Sequence, residues 1–587
     1  MKFLSFLLVL AWAGTRPAQA QNDQLNVAQA AVVGAAATTT AYLLDLAAVV
    51  DAQGNTYLTG TFAGTVSFGA FALTSPDRYS DVYVAKRDAA GAYLWAVQGG
   101  GPGDQQAKAL AVDAGGNVYV TGNFTSVPTA TFGNTALTNA GAAGTTKADV
   151  FVAKLDGTSH AWQWAASAGG GTRVNGDDYG TAVAVDGLGN VYVGGNFNSS
   201  VASFGPIQVA NAYPGFESAF LAKLTASGAW VWAKGQDYLG AGVSGVAVDA
   251  FQNVYLTGNY YRGGATFGPF VLRSGIGEVF VAKIDGTGAW QWATGTGPTG
   301  PTNNRYPRAV SVSAATSDGA GGLYIAGAYG SGLLTPDTLL VGRTVLVNNS
   351  PVGLPASRTR NGYVARLDAA TGAWRWAVQT TGNGDDYLGQ PRLDGAGHVY
   401  VSGSIEPGVG NGGSFFGPAG LNSAGGKDVV VAQLDTAGAW QWARRTGGPN
   451  SETAALCRVD AQGRGLLAGT FVGASGQVGP FALAPFSPAL TITYFTAVLG
   501  PNGAVLATRP ATASPILALF PNPTRATVSV TGALPGQPVQ VLDVLGRRVL
   551  TGQMPAQGLL HLALPAGLPA GVYLVRAGAQ TRRLVVE

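Results

Sequence analysis

Asp113-Ala-Gly-Gly-Asn-Val-Tyr-Val-Thr-Gly122 decides the fold, because the chain repeats it. Close copies run from Asp186 to Gly195, Asp249 to Gly258 and Asp394 to Gly403, and weaker ones begin at Asp51, Asp318 and Asp460. Seven copies spaced 62 to 76 residues apart are an internal repeat, which has to be recognised before any local reading. A second block follows each copy. In repeat two it reads Asp149-Val-Phe-Val-Ala-Lys-Leu-Asp156, a turn, and Trp162-Gln-Trp-Ala165. The partners of that ending are Trp230/Trp232, Trp290/Trp292, Trp374/Trp376 and Trp440/Trp442, with a single Trp95 in repeat one. These are eleven of the twelve tryptophans; Trp12 is the other.

Each unit offers four β-segments. In repeat two, A is Ala109 to Asp113, B is Asn117 to Phe124, C is Val150 to Asp156 and D is Ala161 to Ala165. They are rich in Val, Tyr, Phe and Trp and bounded by Gly, Asp and Asn, as strands are. Side chains alternate along a strand, so Trp-x-Trp places both rings on one face of D. Large flat groups on one face suit stacked sheets. Seven four-stranded sheets set radially make a β-propeller. The A–B and C–D turns are short and uniform, whereas the B–C and D–A connections are long and variable. Alternate connections of a meander emerge on the same side. One face of tight turns and one irregular face of loops are therefore expected, with function on the loops. Each B–C excursion carries a Phe-Gly element (Phe68, Phe132, Phe204, Phe267 and Phe416), which its repetition marks as scaffold. Repeat five departs most, with its longest B–C excursion over 330–362. Repeat seven has Gly503-Ala-Val-Leu506 in place of the Trp pair. Residues 25–33 are a candidate strand for closing the ring, and an extra sheet there would change the blade count by one.

These units resemble the SBBP-type β-propeller repeat of exported bacterial proteins over roughly residues 45–508. The resemblance implies the fold and leaves function open. Leu367-Asp-Ala-Ala-Thr-Gly-Ala-Trp374 is also similar to the Trp-bearing repeat of quinoprotein dehydrogenases. In that family it docks Trp between blades, a packing task. The adjacent Cys pair frequent there has no counterpart in a chain whose one cysteine is Cys457. No intrachain disulfide, Cys-based zinc site or Cys-Cys redox motif can form either.

The two ends read differently. Lys2, the apolar run Phe3 to Ala13 and Ala18-Gln19-Ala20 form a secretory signal pattern, with 1–20 removed and the mature chain starting at Gln21. The apolar run is too short to span a bilayer, and no transmembrane segment is expected elsewhere. After a linker at 509–514, residues 515–587 show short alternating strands with Pro and Gly corners. These fit a small β-sandwich. Phe520, Pro521, Asn522 and Pro523, then Asp543, Gly546 and Arg547, then Gly571 and Tyr573, and finally Arg582 and Arg583 resemble, in that order, the C-terminal sorting domain of type IX (Por) secretion. The resemblance implies passage by Sec, transfer across the outer membrane by the type IX machinery, removal of this domain, and release or surface attachment. The expectation is thus an all-β chain: a signal at 1–20, a seven-bladed β-propeller at 21–508, and an Ig-like β-sandwich sorting domain at 515–587. Its place is extracellular or on the outer surface.

Composition agrees. Of 587 residues 88 are Gly, without the Gly-X-Y period of collagen, and 47% are hydrophobic, too many for a disordered chain. The sequence pI near 8.8 misleads. Lys2 and Arg16 sit in the first twenty residues, and six Arg stand against Asp543 and Glu587 after residue 514. That leaves 26 basic and 29 acidic residues between, with no basic cluster to bind nucleic acid.

Chemistry is scarce. His160 lies in a C–D turn, His398 takes the turn position of Asn117, Asn190 and Asn253, and His561 is in the sorting domain. None is placed for a triad or a metal site. Most acids recur in register. Asp81, Asp149, Glu278 and Asp428 precede strand C, and Asp51, Asp113, Asp186, Asp249, Asp394 and Asp460 open the A–B turn, where Asp caps its own backbone. The acids outside that template are Asp177 and Asp178 with Tyr179, Asp385 and Asp386 with Tyr387, the partial pair Asp237 and Tyr238, and Glu406 and Glu452. All are expected on the irregular face, where Asp385, Asp386, Glu406 and Glu452 could converge. No cofactor is evident; calcium is the ion such carboxylates suit. The leading expectation is a non-enzymatic module binding a glycan or a surface protein. A secreted polysaccharide-active enzyme using the acidic face, and a structural or oligomerising propeller, are the alternatives.

Overall fold

The computed structural model describes residues 25–500 and 518–587 apart from short connecting stretches, of which 298–308 and 349–359 are the longest. The signal residues 1–20, the segment 503–506, the pair Asp237 and Tyr238, and Pro521 and Asn522 lie outside the described residues. Two compact units are present, 1–504 and 505–587. The described residues form β-strands and contain no helix, so none long and apolar enough to cross a membrane.

The first unit is a succession of four-stranded antiparallel sheets. In repeat two the strands are Gln105–Val112, Val118–Phe124, Asp149–Leu155 and Trp162–Gly169, paired A-B-C-D. D thus runs four residues beyond the span read from the sequence. The same order recurs through repeats one to six among the described residues. In the seventh, A is Ser451–Val459, B is Gly465–Val472 and C is Ile492–Leu499, but the strand beside C is Val27–Val32 from the N-terminal end. The candidate closing strand therefore adds no eighth sheet; it completes the last one. Leu25 N–H donates to the Arg445 carbonyl at 2.7 Å and Val33 N–H to that of Tyr494 at 2.9 Å. The first and seventh sheets also touch directly: Arg87 donates to Thr496 Oγ1 at 2.6 Å, and Arg458 to the Asp51 carbonyl.

Two repeated devices join neighbouring sheets. The first is the Trp of strand D. Trp164, Trp232, Trp292 and Trp376 donate their indole N–H to the carbonyls of Ala226, Gly286, Ala369 and Thr436, each in the C–D turn of the following sheet. The second is the Phe-Gly element. Its Phe is buried between its own strand C and the first Trp of D; Phe267 sits 4.9 Å from Phe280 and 5.1 Å from Trp290, ring to ring. The B–C excursions are not irregular loops, as the sequence suggests. Each folds as a two-stranded hairpin, and several pair with the end of the preceding D strand: Phe204 with Ala168, Phe415 with Thr381, Thr131 with Gly100. Length varied between repeats while the hairpin stayed, which hid it from a pattern reading.

The uniform face is as expected. Asp113 Oδ1 accepts the N–H of Gly115 and Asn117, both at 2.9 Å, and Oδ2 accepts Asn117 Nδ2 at 2.8 Å and the Tyr119 hydroxyl at 3.0 Å. The fourth residue of this turn is left-handed: Gly54, Gly116 and Gly189 have φ of 86°, 79° and 80°. Repeat four puts Gln252 there at φ 63°. A left-handed L-residue costs roughly 1–2 kcal/mol. Gln252→Gly should therefore raise the stability of the first unit by about 1 kcal/mol, read from denaturant midpoints at unchanged m-value.

The second unit has two sheets around one core. Ala518–Phe520, Thr527–Thr531 and Leu559–Ala563 form one; Arg548–Gln553, Pro538–Leu542, Gly571–Ala577 and Gln580–Val586 form the other. Val528 and Leu562 of the first meet Val541, Val575 and Leu584 of the second. Asp543 caps its turn through Arg547 N–H at 2.9 Å, with Gly546 left-handed at φ 77°. The Tyr573 hydroxyl donates to the Pro569 carbonyl at 2.8 Å. Arg582 and Arg583 are exposed on the last strand.

Candidate binding site on the connection face

The acids set aside as outside the template belong to one after all. At the start of strand A, the N–H of Gln105, Asp178, Asp386 and Glu452 donates to the carbonyl of Ser80, Ala148, Arg360 and Lys427, at 2.7–2.9 Å. Each acceptor immediately precedes strand C of the preceding sheet. The residue just before answers in reverse. Asp104 Oδ1 accepts the N–H of Ser80 at 3.1 Å, Asp177 Oδ1 that of Ala148 at 2.9 Å, Asp385 Oδ1 that of Arg360 at 2.9 Å and Ser451 Oγ that of Lys427 at 3.1 Å. The corner is a two-bond clamp between neighbouring sheets. Its side chains vary between Asp, Ser, Gln and Glu because the invariant part is backbone, and the sequence reading missed Asp104, Gln105 and Ser451 for that reason.

The second acid of each corner is buried. Asp178 accepts Asn198 N–H at 2.8 Å, Ser199 N–H at 3.2 Å, the Ser199 hydroxyl at 2.5 Å and Gly170 N–H at 3.2 Å. Glu452 accepts Gly448 N–H at 3.1 Å and Gln477 N–H at 3.3 Å. Asp386 meets two hydroxyls, Thr380 at 2.5 Å and Ser414. Hydroxyls compensate a buried charge less well than backbone N–H groups do. Burial pushes the Asp386 carboxyl up to about 6, with the charge of Asp385 adding to the rise. A carboxyl raised in the folded state stabilises when protonated. Its contribution is full below the unfolded value and is lost as pH rises through about 6. Relative to Asp386→Asn, the native protein should therefore gain about 2 kcal/mol between pH 7 and pH 4, read as the difference between their unfolding curves.

The structure does not bring Asp385, Asp386, Glu406 and Glu452 together as a carboxylate cluster. Asp385 is held by Arg360 through Nε at 2.8 Å and Nη2 at 2.6 Å, and Glu406 by Lys427 Nζ at 2.8 Å. Glu406 N–H donates to the Asp385 carbonyl at 3.2 Å, so the two ion pairs lie side by side on adjacent connections. Among the described residues no group of three or more His, Cys, Asp or Glu could hold a metal ion. Beside the pairs stands Tyr387, 37% exposed. In repeat three, the Tyr179 hydroxyl donates to Glu217 at 2.7 Å, and burial pushes it up to about 12. Arg360, Lys427 and Glu217 carried no signal in the sequence, since each partners an acid distant along the chain.

The histidines have local roles. His398 Nδ1 lies 2.6 Å from Asp394 Oδ2, standing in for the usual Asn. His160 stacks on Trp95 at 4.9 Å. His561 pairs across strands with the Ser529 hydroxyl at 2.8 Å.

Residues 163–200 match the family model of the SBBP β-propeller repeat, from strand D of repeat two through strand B of repeat three. With the sheet order, this makes the chain a β-propeller protein. No curated protein matches. Among solved structures, the chain is similar to a quinohemoprotein alcohol dehydrogenase from Comamonas testosteroni, at 12% identity and TM-score 0.37 over 84% of this chain and 79% of that one. It is similar to a PL25 polysaccharide lyase, an ulvan lyase bound to -[GlcA(1-4)Rha3S]-, at 9% identity and TM-score 0.37 over 82% and 95%. PorZ, a surface component of the type IX secretion system of Porphyromonas gingivalis, aligns at 10% identity and TM-score 0.16 over 96% and 99%. Likenesses this distant carry no activity across to this chain.

Proposed function

We propose that this chain is a closed seven-bladed β-propeller, exported to the cell surface or medium through a C-terminal Ig-like type IX sorting domain, and that its connection face binds a glycan or surface protein without turning it over. One observation carries the binding part. The buried acids Asp178, Asp386 and Glu452 hold corners, while the Glu406–Lys427 pair stays partly exposed and Tyr387, also partly exposed, lies near Arg360 of the neighbouring Asp385 pair. A half-exposed ring beside charged hydrogen-bonding groups suits a sugar face and its hydroxyls. Tyr387 and Glu406 contact the ligand; Asp177, Tyr179 and Asp385 position the loops, and calcium enters only as a bridge from ligand to Glu406. Export rests on the signal pattern at 1–20 and on the sequence motifs that follow one another from Phe520 to Arg583.

The test is a glycan array on the secreted protein, with and without calcium, read for both binding and loss of substrate. Binding without turnover is expected, weakened at least about tenfold by Tyr387→Ala with the melting temperature unchanged. Turnover, or binding indifferent to Tyr387, would overturn the assignment.

A further inference from the structure

The position two residues before the turn Asp holds a small side chain in most sheets. Val49, Ala111, Ala184 and Ala247 stand there in repeats one to four, each paired with the Tyr of its own strand B. Thr316 and Arg392 pair in the same register with Tyr324 and Tyr400 in repeats five and six, and Arg458 with Leu466 in repeat seven. Two neighbouring sheets thus carry arginine where most carry alanine or valine. All three later side chains reach the following sheet. Thr316 Oγ1 donates to the Pro391 carbonyl at 2.7 Å, Arg392 Nε to that of Leu456 at 2.9 Å, and Arg458 Nη1 to that of Asp51. Each guanidinium is anchored by that one bond, and its other nitrogens take no partner among the described residues.

Thr316, Arg392 and Arg458 line one cavity of about 430 Å³ on the face of tight turns, with Ser317, Cys457 and the turn acids Asp394 and Asp460. Both acids are engaged in their own turns. Asp394 accepts the N–H of Ala396 at 2.8 Å and of His398 at 3.1 Å, and faces His398 Nδ1 at 2.6 Å. Asp460 accepts the N–H of Gln462 at 3.0 Å and of Arg464 at 2.9 Å, and pairs with Arg464 Nε at 2.7 Å. Burial pushes the Cys457 thiol up to about 11, so it supplies no negative charge at neutral pH. Two cationic forks therefore line one space without a carboxylate of their own, and burial works against the charge of Arg392. A charge drawn out of water is costly until an opposite charge meets it. Guanidinium forks match the paired oxygens of a tetrahedral anion, two bonds at a time. Ser317 adds a donor, since its Oγ accepts Gly319 N–H at 3.2 Å and keeps its own proton to give.

We propose that this cavity binds a small divalent oxyanion of the phosphate and sulfate class, held between Arg392 and Arg458. The Ser317 hydroxyl donates a further bond to it. The site lies on the face of tight turns and is independent of the connection face assigned above.

The experiment titrates the full chain by calorimetry with inorganic phosphate, sulfate and acetate, at constant ionic strength set by sodium chloride. Saturable one-to-one binding of phosphate or sulfate is expected, at least about tenfold tighter than acetate. Arg392→Ala installs the residue that repeats two to four carry and should weaken the divalent anion at least about tenfold. Arg392→Gln, which keeps a donor for the Leu456 carbonyl, should do the same with the melting temperature in anion-free buffer unchanged. Arg375→Ala removes an equal charge from an exposed ion pair and should leave the affinity as it was. Absence of saturable phosphate and sulfate binding would overturn the proposal. So would acetate binding as tightly, binding indifferent to both Arg392 variants, or equal weakening by Arg375→Ala.

Discussion

Deleting Leu25–Val33 should abolish cooperative folding of the first unit. Among the described residues, the strand Val27–Val32 is the one neighbour of Ile492–Leu499 on its outer side, pairing Val27 with Leu499 and Val32 with Phe495. Its loss removes the buried side chains of Leu25 and Val33, each contributing about 1.5–3 kcal/mol, and a ladder whose bonds contribute about 1 kcal/mol each. The total is several kcal/mol, against a stability of about 5–15 kcal/mol for a typical domain. The deletion also bares strand C of the seventh sheet as a long, unprotected edge, the usual template for aggregation. Light scattering and near-ultraviolet circular dichroism of the deleted chain should report aggregation and lost packing. A monomeric, cooperatively melting product would show that the ring does not depend on this closure. Adding the strand back as a peptide should restore part of the signal, because Gly465–Val472 and Ile492–Leu499, which build the edge it fills, remain in the chain and can fold onto it.

The strands, the uniform turns and the packing role of the tryptophans were legible because each rests on side chains recurring in register. Trp232 and Trp292 announce the same contact with the same residue type. The closing strand was half legible. Residues 25–33 are apolar enough to be a strand, but Val27 and Gln29 share nothing with the Trp pair they replace, so only the backbone register identifies the position. The D–A corner was misread for a related reason. Asp178, Asp386 and Glu452 look exceptional beside Gln105, yet all four make the same N–H bond to the preceding sheet. A backbone bond leaves no residue type behind. The ion pairs of Asp385 with Arg360 and of Glu406 with Lys427 span 25 and 21 positions, beyond what spacing can suggest.

The corner yields the second large effect. Asp178→Ala should destabilise the first unit by about 3–5 kcal/mol, read from chemical denaturation. The carboxylate has no exposed surface and takes three backbone N–H groups and one hydroxyl. Alanine leaves those donors buried without their acceptor, and an unsatisfied buried donor costs about 1–3 kcal/mol. Asp178→Asn keeps one acceptor oxygen but points an amide at N–H groups, so an intermediate loss is expected. The contrast with Asp386 is the discriminating part. That carboxylate meets hydroxyls, which can rotate to donate to or accept from an amide, so Asp386→Asn should be nearly neutral at pH 7. A ligand site would order the two differently: both carboxylates would matter for binding and neither for folding. A large stability loss at Asp178, little at Asp386 and none at Tyr387 would assign the Asp-Asp pairs to the frame that holds the connection face, and leave recognition to the tyrosine and the ion pairs presented on it.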